Sequence, residues 1–180
     1  MPTSSHHGKA KTAEWIAEHT DIKHILDIGC GEGTYPLLMK NEFNVALDAT
    51  WWGVEVWKEN IIKYNLETLY EKVINEDARK LNWDEMPKFD LVIFGDVLEH
   101  MTKEESQLLV KSALKHSKYC LISIPIQHFP QGEHEGNPYE EHVKDDWSRS
   151  EVLESFPCIT RDHGSKKIGI FWLESDRLGS

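Results

Sequence analysis

Residues 24–34 read H-I-L-D-I-G-C-G-E-G-T, and this stretch decides the fold. Its apolar first half predicts a β-strand that carries Asp27 near its end. Gly29, Gly31 and Gly33 then alternate with other residues, and an amphipathic segment follows. Glycine lets a backbone approach a ligand closely, and open α/β sheets bind nucleotide-like ligands at a loop between a strand and a helix. The stretch therefore predicts a ligand-binding turn.

The spacing of the glycines argues against a dinucleotide-binding turn. That turn has the pattern G-x-G-x-x-G, which would place a third glycine where this chain has Thr34. The pattern here is D-x-G-x-G-x-G. An ordinary glycine-rich turn without a ligand fits it as well, so the choice depends on the rest of the chain.

Bulk properties exclude several classes of protein. The chain has 180 residues and a formal net charge of −11, which disfavours binding to DNA or RNA because polyanions repel it. No apolar run approaches the ~20 residues that span a bilayer, and the first residues lack the apolar core of a signal peptide. The three cysteines lie far apart and form no metal-binding or disulfide pattern. We therefore expect a cytoplasmic protein, monomeric or homodimeric, with no nucleic-acid or membrane partner.

The order of elements predicts one domain. Residues 1–8 are expected to form a flexible leader, and 9–180 a single domain. Apolar strands alternate with amphipathic helices, including a strand over 52–57 and a helix over 58–70, which is typical of a mainly parallel sheet covered on both faces. Residues 125–147 have three prolines, two glycines and three histidines without periodicity, and their position predicts a substrate lid.

Carboxylates lie at the carboxyl ends of successive predicted strands. Asp27 ends the apolar run of the first, Glu55 ends G-V-E near the end of the second, Asp77 follows the third, and Asp96 begins D-V-L-E-H after the fourth. A carboxylate is costly inside a parallel sheet but useful at a ligand crevice. This placement predicts a polar crevice at one edge of the sheet.

Four motifs together resemble those of class I S-adenosylmethionine-dependent methyltransferases acting on small molecules. They are I-L-D-I-G-C-G-E-G, G-V-E, E-D-A and F-D-L-V-I-F-G-D-V-L-E-H, in the family's order, and the resemblance covers roughly 9–124. It implies a Rossmann-like three-layer α/β/α sandwich with a mostly parallel seven-stranded sheet whose last strand is antiparallel. It also implies S-adenosyl-L-methionine as cofactor and S-adenosyl-L-homocysteine as product.

The resemblance assigns cofactor roles to individual residues. Asp27 and the glycines would shape the turn, Glu55 would accept bonds from the ribose hydroxyls, Asp77 would accept from the adenine amino group, and Asp96 would lie near the methionine part. The full predicted cofactor set is Asp27, Gly29, Cys30, Gly31, Gly33, Glu55, Val56, Asp77, Ala78, Gly95 and Asp96. Asp48 is an alternative to Glu55, because it lies closer to Gly33 along the chain.

The acceptor side is less defined. His100 is the candidate general base, with a purely structural histidine as the alternative. His128, Tyr139 and His142 of the lid are candidate substrate contacts. A metal site made of His128, Glu133, His134 and His142 is conceivable, but the spacing matches no metal-binding template, so no metal is predicted.

The sequence predicts methyl transfer to an oxygen or nitrogen of a small polar metabolite, the acceptor being the expected partner. Two alternatives remain open. The chain could be a non-catalytic S-adenosylmethionine-binding regulator or partner subunit. It could also be an enzyme of the same fold that uses another adenosyl ligand, such as decarboxylated S-adenosylmethionine.

Overall fold

The computed structural model describes residues 8–178. Residues 1–7 of the predicted leader lie outside the described residues. The helices are α1 (Lys9–Glu18), α2 (Thr34–Asn41), α3 (Lys58–Lys63), α4 (Lys103–His116) and α5 (Arg149–Ser155). The strands are β1 (His24–Ile28), β2 (Thr50–Val54), β3 (Lys72–Ile74), β4 (Phe89–Gly95), β5 (Ser117–Pro125), β6 (Ile159–Gly164) and β7 (Ile168–Glu174). Among the described residues, no helix has the length and apolar character that crossing a membrane requires.

The strands form one seven-stranded sheet in the order β3-β2-β1-β4-β5-β7-β6. Strands β1 to β5 pair in parallel, whereas β7 lies antiparallel between β5 and β6. The predicted fold class, a mostly parallel seven-stranded sheet with an antiparallel last strand, is confirmed. Because β1 to β5 run the same way, their carboxyl ends meet at one edge of the sheet.

The two faces of the sheet bury separate apolar cores. Successive side chains of a strand point to opposite faces, so Leu26 and Ile28 join one core while Ile25 joins the other. Helices α4 and α5 cover the first face, and α1 and α2 cover the second. This arrangement is the predicted three-layer sandwich.

Two predicted elements differ from the structure. β2 ends at Val54, so Glu55 follows the strand instead of lying within it. The helix predicted over 58–70 ends at Lys63, because Asn65 adopts a left-handed conformation with φ 50°. A separate helical turn at 66–68 then buries Leu66 in the core. The apolar spacing over 58–70 therefore reflects two short helices.

α4 begins at Lys103 because its first turn is capped by side chains. The Thr102 hydroxyl accepts a hydrogen bond from the Glu105 backbone N–H, and the Glu105 carboxylate accepts one from the Thr102 N–H. This reciprocal capping box satisfies two backbone donors that a helix start otherwise leaves unpaired.

The end of β4 requires a residue without a side chain. A Cβ atom added to Gly95 would overlap Cε2 of Tyr35, whose buried ring packs beneath the strand end. The ring has little room to move, because the Lys9 ammonium donates a hydrogen bond to the Tyr35 hydroxyl at 2.9 Å. Close packing at this point sets the position of the loop that follows β4.

We expect Gly95→Ala to lower the free energy of unfolding by about 1–3 kcal/mol through overpacking. Gly132→Ala is the matched control, because an added Cβ there meets no atom within 4 Å. Urea denaturation followed by circular dichroism measures both. Equal stability of the two variants would contradict the proposed steric constraint.

Candidate active site

A cavity of about 390 Å³ lies at the carboxyl ends of β1, β2, β4 and β5. Its volume falls in the ~300–1,000 Å³ range of small-molecule sites. The segment 125–147 contributes the outer wall. The structure brings most predicted site residues to this cavity: Asp27, Gly29, Cys30, Gly31, Glu55, Val56, Asp77, Ala78, Gly95, Asp96, His100, Tyr139 and His142.

The glycine loop passes very close to two neighbouring strand ends. The backbone N–H groups of Gly29 and Cys30 both donate to the Val54 carbonyl at the end of β2, at 2.9 and 3.0 Å. On its other side, a Cβ added to Gly29 would lie 2.7 Å from Val97, and the φ of Gly29 is +66°. Only glycine fits these demands at once. Gly33 does not line the cavity but precedes the first residue of α2, with φ +81°.

Asp27 lies beneath this loop and is fully buried. The Tyr70 hydroxyl donates a hydrogen bond to its carboxylate at 2.7 Å. Burial raises the pKa of Asp27 from 3.8 to about 7, and the Tyr70 bond and the Lys9 charge offset only part of that rise. Cys30 is also buried, which raises the pKa of its thiol and makes it a packing residue rather than a nucleophile.

Glu55 is held by backbone donors at the mouth of the loop. Its two carboxylate oxygens accept hydrogen bonds from the N–H groups of Gly31, at 3.0 Å, and Trp57, at 2.8 Å. Burial raises the pKa of Glu55, while these bonds lower it again. A carboxylate accepts about four hydrogen bonds, so this group can still accept bonds from a ligand. By contrast, Asp48 is 72% exposed in a surface ion pair with Lys23 and does not line the cavity.

Asp77 lines the cavity but is already engaged by Arg79. The guanidinium donates to both carboxylate oxygens, at 2.9 Å from Nε and 2.7 Å from Nη2. These bonds hold the pKa of Asp77 below its usual value. The carboxylate is therefore ionised and oriented, with its remaining lone pairs available beside the Ala78 backbone.

Asp96 has an unusual backbone conformation. Its φ is +57°, in the left-handed region that non-glycine residues adopt only occasionally. Its N–H donates to the Ser123 carbonyl at 2.8 Å, and the Ser123 hydroxyl donates to its carboxylate at 3.0 Å. These contacts from β5 hold the strained turn that begins the loop after β4.

Backbone contacts hold His100 between this loop and the segment 125–147. Its Nδ1 lies 3.1 Å from the Glu141 carbonyl, so the ring donates from Nδ1 and keeps a lone pair on Nε2. Burial lowers the pKa of His100, which favours the neutral ring. A second hydrogen bond joins the same two segments, because the Lys144 N–H donates to the Glu99 carbonyl at 3.0 Å.

One predicted substrate residue lies away from the cavity. Tyr139 and His142 line it, and the Tyr139 ring lies 6.3 Å from that of Trp57 across the opening. His128, however, does not line it; its side chain is 70% exposed beside Asp145. The structure therefore places the predicted substrate contact His128 outside the cavity, whereas the next residue, Phe129, lines it.

Sequence reasoning missed two buried charged residues next to the site. Lys9, at the start of α1, is 1% exposed, and burial lowers its pKa while Asp96, Asp27 and Glu99 raise it. Glu99 lines the cavity at 2% exposure, and burial raises its pKa well above the usual value. A lysine at the start of a polar helix gives no sequence signal of burial. Glu99 belongs to the motif D-V-L-E-H, but the resemblance to the family assigns no role to it.

Buried acidic groups dominate the cavity floor. Asp27, Glu55 and Glu99 are buried around it, and Asp96 is half-buried beside them. The buried Lys9 ammonium is close enough to Asp96, Asp27 and Glu99 for their charges to raise its pKa. Removing these carboxylates from water is unfavourable unless a ligand supplies positive charge or hydrogen-bond donors. The site is therefore suited to a cationic, donor-rich ligand.

An open α/β sheet with a glycine loop and acidic groups at its strand ends is typical of proteins that bind nucleotide-like ligands. The chain belongs to the methyltransferase domain family, whose sequence profile matches residues 19–166. The resemblance to class I S-adenosylmethionine-dependent methyltransferases is thereby confirmed. No curated protein matches the chain in a sequence search.

Solved structures share the fold at low sequence identity. An S-adenosylmethionine-dependent methyltransferase from Clostridium acetobutylicum matches with a TM-score of 0.68 and 13% identity, over 94% of this chain and 92% of that one. The magnesium protoporphyrin IX methyltransferase of Synechocystis, with bound S-adenosylmethionine, gives 0.65 and 15%, over 92% and 77%. The N-terminal domain of EvdMO1, with bound S-adenosylhomocysteine, gives 0.65 and 17%, over 95% and 82%. These similarities support the fold.

The raised pKa of Asp27 predicts a pH-dependent stability. Between the unfolded value of 3.8 and the folded value of about 7, unfolding releases a proton, so stability falls as the pH rises. From pH 5 to pH 8, we expect the wild type to lose about 2–3 kcal/mol of unfolding free energy relative to Asp27→Asn. Urea denaturation at both pH values measures the difference. Asp48→Asn serves as the exposed control, and parallel profiles for wild type and Asp27→Asn would contradict the assignment.

Proposed function

We propose that this protein transfers the methyl group of S-adenosylmethionine to an oxygen or nitrogen atom of a small polar metabolite. The observation that carries the proposal is the group of buried carboxylates around the glycine loop, which suits a ligand with a positive sulfonium and an ammonium group. The family membership supports the methyl-transfer chemistry, and solved neighbours hold S-adenosylmethionine or its product.

The cofactor roles follow from the donors and acceptors in the cavity. Glu55 accepts bonds from the two ribose hydroxyls, since its carboxylate is oriented by backbone N–H groups. Asp77 accepts from the adenine amino group, and the Ala78 N–H is the donor for a ring nitrogen. The Gly95 carbonyl and the Asp96 carboxylate accept from the ammonium. When bound, S-adenosylmethionine supplies a methyl group made electrophilic by its sulfonium sulfur.

The segment 125–147 acts as the lid over the acceptor. The Lys144 backbone N–H donates to the Glu99 carbonyl, and the His100 ring donates to the Glu141 carbonyl, which ties the segment to the loop after β4. The Tyr139 ring also packs near that of Trp57. This closure excludes water and positions the two reactants, which is the main contribution of a protein to an in-line methyl transfer. The cavity volume suits a small acceptor, and the net charge of −11 disfavours a nucleic acid.

His100 is the group that receives the acceptor proton. Its Nδ1 is committed to the Glu141 carbonyl, so Nε2 is the basic atom. The three cysteines are free and buried, which suits a reducing compartment, and we place the protein in the cytoplasm.

Glu55→Ala tests the cofactor site. Loss of charge-assisted hydrogen bonds worth about 1.5–3 kcal/mol each should weaken S-adenosylmethionine binding by at least ~100-fold in isothermal titration. Asp48→Ala removes an exposed carboxylate of the same charge and should change the affinity by less than about twofold.

Three outcomes decide between the functions. Equal effects of the two variants would overturn the assignment of Glu55. No binding of S-adenosylmethionine or S-adenosylhomocysteine to the wild type would overturn the proposed function. Binding without S-adenosylhomocysteine production, across a panel of hydroxyl and amine acceptors, would identify a non-catalytic binding protein instead.

His100→Ala tests the proton acceptor. The assay uses an acceptor identified from the panel of hydroxyls and amines and contains a metal chelator. We expect kcat to fall by about 10²–10⁴-fold because general-base catalysis is lost. Affinity for S-adenosylmethionine, measured on the same preparation, should remain within about twofold. Retention of full kcat would show that His100 only packs the loop.

A further inference from the structure

Three side chains that could bind a metal ion meet on the wall of the cavity. Glu99 and His100 lie in the helical turn after β4, and His142 comes from the lid. One carboxylate oxygen of Glu99 and one ring nitrogen of each histidine all lie within 4.8 Å of one another. His142 is distant along the chain from Glu99 and His100, and only the docking of the lid brings it to them.

Glu99 points to a missing ligand. It is 2% exposed, and its Oε2 has no hydrogen-bond partner in the part of the chain that the structure describes. An unpaired buried carboxylate oxygen is strongly unfavourable, so such a group is retained where it has a partner that the protein itself does not supply.

Both histidines have the orientation typical of metal ligands. The Nδ1 atom of His142 lies 2.6 Å from the Phe129 carbonyl, and that of His100 lies 3.1 Å from the Glu141 carbonyl. Each ring therefore donates from Nδ1 and keeps its lone pair on Nε2. Metal-binding histidines nearly always donate their other N–H to a carbonyl or carboxylate in this way, which sets the tautomer and the ring orientation.

We propose that Glu99, His100 and His142 bind one divalent transition-metal ion of the zinc type. Two imidazoles and one carboxylate are a donor set for such ions, and three protein ligands leave a coordination position open. Ligand atoms about 2.0–2.1 Å from zinc lie roughly 3.3 Å apart in a tetrahedral site, so binding requires the three groups to approach one another by at most about 1.5 Å. Because His142 belongs to the lid and the other two ligands to the loop after β4, the bound ion connects these two segments.

The ion also bears on the acceptor, and this consequence rests on the proposed function. All three ligands line the cavity, so a hydroxyl or amine of the acceptor fits the open coordination position. The ion takes the same Nε2 lone pair that His100 uses as a base, so the two roles exclude each other. With the ion bound, coordination of the acceptor replaces His100 as the activating interaction.

A zinc titration tests the site. Adjacent His6 and His7 could bind zinc themselves, so every protein carries His6→Ala and His7→Ala and is dialysed against chelator first. We expect one zinc ion per chain in competition with a chromophoric chelator, and visible absorption bands of tetrahedral geometry when cobalt replaces zinc. Glu99→Gln and His142→Ala should each weaken zinc binding by at least ~100-fold. His128→Ala is the matched control, since this exposed lid histidine lies outside the cluster, and it should leave the affinity within about twofold.

The possible results separate the two proposals. Absence of stoichiometric zinc binding, or binding that His142→Ala and Glu99→Gln leave unchanged, would overturn the metal site. S-adenosylmethionine titration of the same preparations reports the proposed function independently. Zinc binding without S-adenosylmethionine binding would leave the metal site and refute the methyltransferase proposal, and the opposite result would refute the metal site alone. Circular dichroism of each variant confirms that it is folded.

Discussion

The close approach of the glycine loop to the ends of β2 and β4 is the constraint on which the site depends. Two loop N–H groups bond to the Val54 carbonyl, while Val97 occupies the space where Gly29 would carry a side chain. This approach buries Asp27 and brings the Gly31 N–H to the Glu55 carboxylate. A displaced loop would expose the acids to water and separate them. The same contact therefore determines both the shape and the electrostatics of the cavity.

The buried acidic groups of the cavity floor destabilise the folded protein when no ligand is bound, and they favour the binding of a ligand. Burial raises the pKa values of Asp27, Glu55 and Glu99, so each carboxylate loses free energy when ionised inside the protein. Lys9 and backbone donors offset part of this cost. Proteins commonly accept such local instability at functional sites, because a bound ligand recovers it. Positive charge and hydrogen-bond donors in the ligand would do so here.

The lid adds chemistry that the sheet alone lacks. It has little regular structure, yet hydrogen bonds from His100, Lys144 and His142 position it against the loop after β4 and against itself. Its residues His142 and Tyr139 then form part of the cavity wall. A segment without periodicity along the sequence is thus well defined in space, because hydrogen bonds to backbone carbonyls and the buried side chain of Trp147 position it.

The sequence by itself determined the elements whose cause is local. Apolar runs specified β1 and β4, the Thr102–Glu105 pair specified the start of α4, and the glycine spacing together with Asp27 specified the cavity edge. The helix predicted over 58–70 is longer than the observed α3, because the left-handed conformation of Asn65 ends the helix and leaves no signal in the apolar spacing. Only the tertiary structure decided that Glu55 rather than Asp48 lines the cavity, that Lys9 is buried, and that His142 meets Glu99 while His128 does not. These outcomes depend on contacts between distant segments, and a residue's neighbours in the sequence do not encode its neighbours in space.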